Sequence, residues 1–300
     1  MTLGLSGVSI GAYAFGIEPR FRLDVTRYKL TAPGNWPRDL NLKLAVIADI
    51  HAGEPYMPPG RIQEIVDTTN TLGADAILLL GDYAAGHRWQ TRRVPPNEWA
   101  AILAGLKAPL GVHAVLGNHD WWDDSLAKKR RHGPVAGRIE LEKVAIPVYE
   151  NDAIRLIKDG RPFWLAGLGD QLSFVVGWNG NYANFQGTDD LPGLMGRITD
   201  DAPVILMAHE PDIFVDVPDR VALTISGHTH GGQIRIAGFS PVVPSSFGNR
   251  FAYGHIVEDG RNLIVSGGLG CSKIPVRFGV PPEIVLIELG EASNIATIKS

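Results

Sequence analysis

The sequence is poor in cysteine and has no excess of positive charge. Cys271 is the one cysteine in 300 residues, so no disulfide can form within the chain. Such proteins occur in the cytoplasm and in the periplasm, and the compartment stays open. The chain has 28 basic and 32 acidic residues. It therefore lacks the broad positive field that nonspecific nucleic-acid binding requires.

The N-terminal segment, residues 1–16, lacks charged side chains. Its apolar part, residues 3–16, is too short to span a bilayer. No Lys or Arg precedes it, so the basic region of a signal peptide is also missing. We expect either the remnant of a longer leader or membrane anchor, or a short apolar helix that packs on the domain or lies in a membrane interface.

The remaining sequence has no internal repeat, linker or low-complexity tract. Hydrophobic residues make up 45% of the chain and charged residues 20%. These proportions suit one soluble globular body. We predict a single domain over residues 17–300, with a helical insertion at about 121–143.

Five short, largely apolar runs each end just before Asp, Asn or His. Continuous runs of this length are typical of strands buried on both faces. Loops beyond the carboxyl ends of strands in an open α/β sheet converge on one crevice. The polar residues are therefore expected to meet in one site. The runs are residues 44–48, 76–80, 112–116, 203–208 and 221–225.

The residue types after these runs are those of metal ligands. Two ions about 3.5–4 Å apart can stabilise the attacking and leaving oxygens of a phosphate diester together. Mixed imidazole and oxygen ligands favour Mn²⁺, Fe²⁺ or Zn²⁺ over Mg²⁺ and Ca²⁺. We expect two divalent ions, with manganese first and iron or zinc as alternatives. The proposed ligands are Asp49, His51 and His230 for one ion, Asn118, His209 and His228 for the other, and Asp82 as the bridge.

These motifs resemble those of the calcineurin-like metallophosphoesterase superfamily, whose pattern is DxH, GD, GNH[DE], H and GHxH. All five occur here in order and without substitution, from Asp49 to Gln233. The resemblance implies an α/β fold, a four-layer α/β/β/α sandwich of two mixed sheets flanked by helices. It also implies that His119 is no metal ligand but contacts the phosphate or protonates the leaving oxygen. Asp120 would then hold the imidazole of His119 in its tautomer.

Hydrophobic patterning predicts further elements outside the motifs. The Gly- and Pro-rich residues 266–283 should form a shaped loop before the last strand. Predicted helices cover residues 61–72 and 97–106, and predicted strands lie near Val148 and at 153–157, 163–168, 262–266 and 283–288.

One departure concerns the substrate. Protein Ser/Thr phosphatases of the superfamily carry Asp-Arg-Gly shortly after the second motif, and its Arg clamps a phosphate monoester. Here Tyr83-Ala84-Ala85-Gly86 follows Asp82. The missing arginine favours a diester or pyrophosphate. Three arginines are nearby in the sequence, Arg88, Arg92 and Arg93. They either substitute for the clamp or are solvated side chains.

Two adjacent tryptophans, Trp121 and Trp122, follow the third motif, and at least one should lie at the rim of the cleft. They contact lipid, stack on a base, or pack beneath the inserted helices. The basic run Lys128–Arg131 is either a solvated face or a contact for an anionic membrane surface. We expect association with the inner membrane, on a side that the sequence does not specify, with a cytoplasmic location as the alternative.

The C-terminal loop and the lead-in around Tyr28 resemble a bacterial branch of exported or membrane-anchored phosphodiesterases. Some members of that branch hydrolyse the pyrophosphate of UDP-2,3-diacylglucosamine. The resemblance implies attack by a hydroxide held between two ions on a phosphodiester or pyrophosphate, in a lipid-linked or small nucleotide-linked substrate. Arg277 is a candidate phosphate contact. The alternatives are a metal-containing scaffold without turnover, a nuclease or a phosphomonoesterase; we expect no nucleic-acid or protein partner.

Overall fold

Two mixed β-sheets lie face to face, and helices cover their outer surfaces. The computed structural model describes residues 9–31, 36–180 and 182–290. The predicted four-layer α/β/β/α sandwich is confirmed. Residues 1–8 of the expected N-terminal segment lie outside the described part.

The strands are numbered in chain order. They are β1 (Asp24–Thr31), β2 (Leu42–Ile47), β3 (Gly53–Glu54), β4 (Ala76–Leu79), β5 (Arg92–Arg93), β6 (Val112–Ala114), β7 (Asp152–Lys158), β8 (Arg161–Gly167), β9 (Phe174–Asn179), β10 (Tyr182–Gln186), β11 (Val204–Met207), β12 (Val221–Ser226), β13 (Gly254–Glu258), β14 (Arg261–Val265) and β15 (Glu283–Gly290).

The first large sheet has the order β1-β15-β2-β4-β6, and the second has the order β13-β14-β12-β11-β8-β7. In the first, β2, β4 and β6 are parallel. In the second, β14, β12, β11 and β8 are parallel. Antiparallel strands complete both sheets, and β3–β5 and β9–β10 form two separate ribbons.

The apolar runs are buried on both faces because each sheet packs against the other sheet on one face and is covered on its outer face as well. In β2, Leu44 and Val46 pack in the core between the two sheets. Ala45 and Ile47 point the other way, into the core beneath the helices of the first sheet. A third core lies on the outer face of the second sheet. A continuous apolar run in the sequence therefore indicates a strand that is covered on both faces, as these strands are.

The helices agree with the predicted segments to within a few residues. The segment 61–72 corresponds to α2, and the segment 97–106 corresponds to α3. Both helices begin at a proline, whose missing N–H costs nothing in the first turn. The helices are α1 (Glu18–Phe21), α2 (Pro59–Asn70), α3 (Pro96–Leu103), α4 (Asn118–Trp122), α5 (Ser125–Arg130), α6 (Ala136–Lys143) and α7 (Leu191–Gly196).

The described part of the N-terminal segment is helical and packs on the domain. Residues 9–12 continue into a π-helical turn at Tyr13–Ile17 and then into α1. The carbonyl of Ala14 accepts the backbone N–H of Arg277. Tyr13 meets the ring of Phe278 edge-on. No helix in the described ranges is long and apolar enough to cross a membrane.

Four strand regions were not predicted, namely β1, the β3–β5 ribbon, the β9–β10 ribbon and β13. Each lies at the edge of a large sheet or outside both. Strand β1 carries charged residues such as Asp24, Arg27 and Lys29 among its apolar ones. An edge strand is covered on one side only, so it lacks the continuous apolar run that revealed the central strands.

The two adjacent tryptophans have different environments. Trp121 is only 1% exposed and packs edge-on against Phe174. The expectation that Trp121 contributes to membrane contact is therefore wrong, because its side chain lies in the core. Trp122 is half-buried and lies at the rim beside His119.

We predict that Trp121→Ala lowers the free energy of unfolding by about 3–5 kcal/mol, because it leaves a large cavity in the core. Denaturant unfolding followed by circular dichroism measures this change. Trp178→Ala is the matched control, because Trp178 is 69% exposed, and we expect a change of about 0.5 kcal/mol or less. Equal destabilisation by both substitutions would contradict the assignment of Trp121 to the core.

Candidate metal centre

The five motifs all follow the carboxyl ends of parallel strands. Strands β2, β4 and β6 of the first sheet lead into the loops of Asp49, Asp82 and Asn118. Strands β11 and β12 of the second sheet lead into the loops of His209 and of His228 with His230. The two sheets present these loops at a shared edge, so the seven proposed ligands come together there.

The first ligand group consists of Asp49, His51 and His230, all buried. Each offers a ligand atom, and these atoms lie within 4.8 Å of one another. His51 Nε2 lies 3.0 Å from His230 Nε2, and their rings are stacked. Asp49 Oδ1 lies 3.6 Å from His230 Nε2. The carboxylate of Asp49 and the imidazoles of His51 and His230 are therefore directed toward a common position between them.

The second ligand group consists of Asp82, His209 and His228. The amide oxygen of Asn118 lies 2.9 Å from His228 Nδ1. Asn118, which the sequence proposed as a further ligand at this position, therefore lies beside the group. The members of the group come from both sheets, because Asp82 follows β4 whereas the histidines follow β11 and β12.

Asp82 lies between the two groups. Its Oδ2 is 3.5 Å from His51 Nε2 in the first group and 3.4 Å from His209 Nε2 in the second. Its Oδ1 accepts the backbone N–H of His119 at 2.8 Å. One side chain thus faces both groups, which is the geometry expected of a bridging carboxylate.

Five of the seven proposed ligands have a left-handed backbone conformation. The φ angles are 53° at Asp49, 48° at His51, 55° at Asp82, 66° at His228 and 52° at His230. Non-glycine residues rarely adopt positive φ, and such strain clusters at functional sites. The number of positive φ angles among the proposed ligands indicates that these loops do not connect the strands in the conformation of lowest energy. Their conformation instead directs the side chains into the site.

Gly117 allows the two halves of the centre to approach. A Cβ at this position would overlap Asp82 Oδ1 and lie 2.6 Å from His209 Cε1. Any larger residue would push one of these ligands away. The glycine before Asn118 is therefore explained by close packing of side chains rather than by a turn.

Burial favours the neutral form of His51, His228 and His230, as metal binding requires. It lowers the pKa of His51 to about 3 and that of His228 to about 3. At His209 the effect of burial is outweighed by the neighbouring Asp82, which raises the pKa well above its usual value, so this imidazole must lose a proton when a metal binds. His51 Nδ1 is 2.9 Å from the carbonyl of Ala84, and His209 Nδ1 is 2.6 Å from that of Leu80. Donation of Nδ1–H to these carbonyls leaves each Nε2 with its lone pair directed into the site, a common arrangement for metal-binding histidine.

One buried nitrogen atom of the site has no hydrogen-bond partner in the described part of the chain, which bears on whether these residues suit a metal. His209 Nε2 is buried and makes no hydrogen bond to any described residue. A buried polar atom without a partner is costly, and a divalent cation between His209 and Asp82 would satisfy it. The two groups therefore fit a dimetal site, the kind of site expected from the motifs.

His119 lies beside the ligands and faces solvent more than they do. Its ring meets that of His51 edge-on, with 4.9 Å between centroids, and contacts Trp122. Its Nε2 lies 3.3 Å from the hydroxyl of Ser272. Ser272 belongs to the Gly- and Pro-rich loop, where nothing in the sequence pattern marked it as a site residue.

Asp120 has a different role from the one expected. Its two oxygens accept the backbone N–H groups of Gly117, Asp82, Tyr83 and Ala84 at 2.9–3.2 Å. The expectation that Asp120 orients the imidazole of His119 is therefore corrected. Asp120 instead ties the second motif loop to the third, and its carboxylate is directed into the backbone because α4 turns it away from the cleft.

The expectation that Arg277 contacts phosphate is also wrong. Arg277 is 0% exposed. Its guanidinium donates to the carbonyls of Gly270 and Val280, and its Nη2 lies 3.2 Å from His230 Nδ1. Arg277 therefore supports a proposed ligand from behind and cannot reach a substrate.

A buried pair of carboxyl groups, Asp170 and Glu210, was missed by sequence reasoning. Burial and the neighbouring Glu210 hold the pKa of Asp170 well above its usual range. Glu210 accepts the backbone N–H of Gln171, and Asp170 accepts that of Leu172. The carbonyl of Leu172 in turn accepts the indole N–H of Trp122. The pair therefore positions the loop that holds Trp122 at the rim.

Comparison with known proteins agrees with this geometry. Residues 42–232 match the family model of calcineurin-like phosphoesterases. The chain belongs to this family. As a calcineurin-like phosphoesterase it is a metallophosphoesterase, and its two ligand groups fit the dimetal site typical of the family.

Individual relatives of this calcineurin-like phosphoesterase are distant. The uncharacterized metallophosphoesterase YkuE of Bacillus subtilis is 27% identical over 252 residues, which are 82% of this chain and 78% of YkuE. The putative metallophosphoesterase F40B5.2 of Caenorhabditis elegans is 30% identical over 83% of this chain, which spans only 48% of that relative. The UDP-2,3-diacylglucosamine pyrophosphatase LpxG of Chlamydia trachomatis is 25% identical over 92% of this chain and 91% of LpxG.

We predict that Asp120→Asn destabilises the protein by about 2–4 kcal/mol and weakens metal binding. An amide nitrogen cannot accept, so the substitution leaves two buried N–H groups without acceptors. Denaturant unfolding and calorimetric titration with Mn²⁺ measure both effects. Asp123→Asn is the control on the same helix, because Asp123 makes only a 3.7 Å contact with Arg93. A change confined to the pH dependence of turnover would support the original role of orienting His119.

We predict that Arg277→Met weakens metal binding about 10–100-fold, as loss of a supporting contact behind a ligand typically does. Two carbonyls lose their donor, and the imidazole of His230 loses the guanidinium that lies 3.2 Å from its Nδ1, so the ring is no longer fixed. Calorimetric titration with Mn²⁺ gives the affinity. Arg235→Met is the matched control, since the Arg235 guanidinium contacts Ser240 and Tyr253. Unchanged affinity in Arg277→Met would show that Gly270 and Val280 alone hold the loop.

Proposed function

We propose that this protein hydrolyses a phosphodiester or pyrophosphate bond with two divalent metal ions. The observation that carries the proposal is the position of Asp82 between two ligand groups, with His119 at the open side. The proposed ligands are Asp49, His51 and His230 for one ion and Asn118, His209 and His228 for the other, with Asp82 shared. We favour manganese, with iron or zinc as alternatives.

The chain itself supplies one acid–base group at the rim. Two divalent ions, when bound, would polarise the phosphoryl oxygens and lower the pKa of water. His119 is placed to contact the phosphate or to give a proton to the departing oxygen. Its ring is restrained by His51 on one side and Trp122 on the other, and Ser272 contacts its Nε2.

The arginines near the second motif support a diester or pyrophosphate over a phosphate monoester. Arg92 is held by Glu54 and Glu98, at 3.0 and 2.8 Å. Arg93 is directed toward Asp123. A monoester dianion calls for a bidentate arginine clamp, and Arg92 and Arg93 contact carboxylates instead. Arg88 is exposed and stays a candidate substitute for the clamp.

The proposal also includes a class of substrate and a location. We favour a lipid-linked or small nucleotide-linked substrate, because the relative LpxG is named for a pyrophosphatase activity on UDP-2,3-diacylglucosamine. Trp122 and the basic run Lys128–Arg131, whose cations are exposed, support peripheral contact with a membrane. The proposed location is the inner membrane, on either side, with the cytoplasm as the alternative.

Hydrolysis of bis-p-nitrophenyl phosphate and p-nitrophenyl phosphate by metal-stripped protein, before and after reloading with Mn²⁺, tests the proposal. We expect metal-dependent turnover that is faster with the diester. Asn118→Ala should reduce kcat/KM more than about 100-fold, because it removes a proposed ligand. Asn262→Ala is the matched control, since the side chain of Asn262 contacts His255 on the second sheet instead.

The outcomes separate the alternatives. Turnover that is equal without metal or in Asn118→Ala would contradict the proposed centre. Faster turnover of the monoester would favour a phosphomonoesterase. No turnover of either ester, with Mn²⁺ bound at two sites by calorimetry, would favour a binding scaffold.

A further inference from the structure

The β9–β10 ribbon carries three exposed apolar side chains on β9. Val175 and Val176 are 43% and 47% exposed, and Trp178 is 69% exposed. Val175 pairs with Phe185 and Trp178 pairs with Ala183, so Val175 and Trp178 share one face of the ribbon, and the register shift leaves Val176 at a bulge between them. A two-stranded ribbon gains little stability alone. Three exposed apolar side chains on one strand are therefore unusual for a ribbon surrounded only by water.

Unpaired cations adjoin the ribbon. Lys128 and Arg131 line a cavity of about 260 Å³ together with Trp122, Phe174 and Val175. The guanidinium of Arg131 lies over the ring of Phe174 and donates to Gln186 at the end of β10. No carboxylate of the described residues forms an ion pair with Lys128, Lys129, Arg130 or Arg131.

The aromatic rings of this region do not form a platform for nucleobases. Trp122 already has Phe185 stacked on it, with 5.6 Å between centroids, and His119 on its other side. Phe174 is covered by Arg131 and by the edge of Trp121. Base stacking needs a free ring face, whereas aliphatic chains pack against edges and exposed valines. Trp178 is 69% exposed, but one free ring does not supply the succession of stacking faces that single-stranded nucleic acid uses. The surface therefore suits lipid chains better than single-stranded nucleic acid.

We propose that the β9–β10 ribbon and α5 together dock on the surface of an anionic lipid bilayer. Val176 and Trp178 enter the interfacial region, where tryptophan is favoured because one end of its ring is apolar and the other is polar. The four cations Lys128–Arg131 face the anionic headgroups, whose negative charge they complement. The occupant is a lipid surface rather than a second protein, because the cations of the run Lys128–Arg131 adjoin the apolar side chains of the ribbon, whereas the carboxylate of Asp124 is turned to the N-terminus of α5.

Docking in this way would bring the metal centre to the membrane. Phe185 of the ribbon stacks on Trp122, and Trp122 contacts His119. The rings of Phe185 and Trp122 would therefore lie between the lipid surface and His119 at the rim of the cleft. This consequence rests on the proposed function, since it matters only if the substrate is lipid-linked.

Sedimentation with sucrose-loaded vesicles tests the surface without reference to catalysis. The full chain is mixed with vesicles of phosphatidylcholine alone or with about 30% phosphatidylglycerol, an anionic lipid. We expect at least about tenfold stronger partitioning into the anionic vesicles, weakened by salt. Val176→Asp and Trp178→Asp should each reduce the partitioning at least about tenfold.

Two control variants guard against loss of folding. Val257→Asp introduces the same charge at a 58% exposed valine on β13, at the far edge of the second sheet, and should bind like the parent protein. Trp178→Phe should keep binding but lose the part of the tryptophan quenching by brominated lipid that Trp178 supplies. Hydrolysis of bis-p-nitrophenyl phosphate should be the same in all four variants.

Three results would overturn the proposal. They are equal binding to neutral and anionic vesicles, equal binding by Val176→Asp and Val257→Asp, and concentration-dependent dimerisation that Val176→Asp abolishes. Turnover of the soluble diester without vesicle binding would reject the surface and keep the proposed function. Vesicle binding without turnover would keep the surface and reject the proposed function.

Discussion

The carboxylate of Asp82 must face two groups of proposed ligands, each with members from both sheets, and most of the surrounding structure serves that requirement. Its position depends on Asp120, which accepts the N–H groups on both sides of it, and on Gly117, which leaves space for it. These contacts lie beneath the ligands and never touch a substrate. The backbone at Asp82 has positive φ, so the loop needs these bonds to hold a conformation that it would not adopt alone.

Packing between the two sheets sets the distances within each ligand group, because each group has members from both sheets. Val46 and Leu78 of the first sheet meet Met207 and Ile225 of the second in one buried core. Because close-packed interiors transmit changes in volume, a substitution there would move one set of loops against the other. The metal centre is therefore sensitive to core residues that lie outside every motif.

The sequence was sufficient to predict the central strands and the residues that group at the centre, because both leave local signals. A strand covered on both faces has a continuous apolar run, and a ligand loop has a short polar motif. The roles of Asp120 and Arg277 could not be predicted in this way. Asp120 belongs to the third motif and Arg277 to the Gly- and Pro-rich loop. The groups that define their roles, the N–H groups of residues 82–84 and the imidazole of His230, reach them only by folding. Ser272 and the Asp170–Glu210 pair were missed for the same reason, since their contacts are distant in sequence.

The elements that distinguish this chain are attached outside the sheet edge that carries the chemistry. The ribbon β9–β10 pairs with neither large sheet, and α5 belongs to the helical segment after the third motif. Their sequences can change without moving a ligand, because their contact with the centre passes through Trp122 rather than through a strand end. A fold arranged in this way can keep one hydrolytic centre while its rim adapts to different substrates and surfaces. Residues of the rim, rather than the ligands, should therefore decide which phosphoester reaches His119.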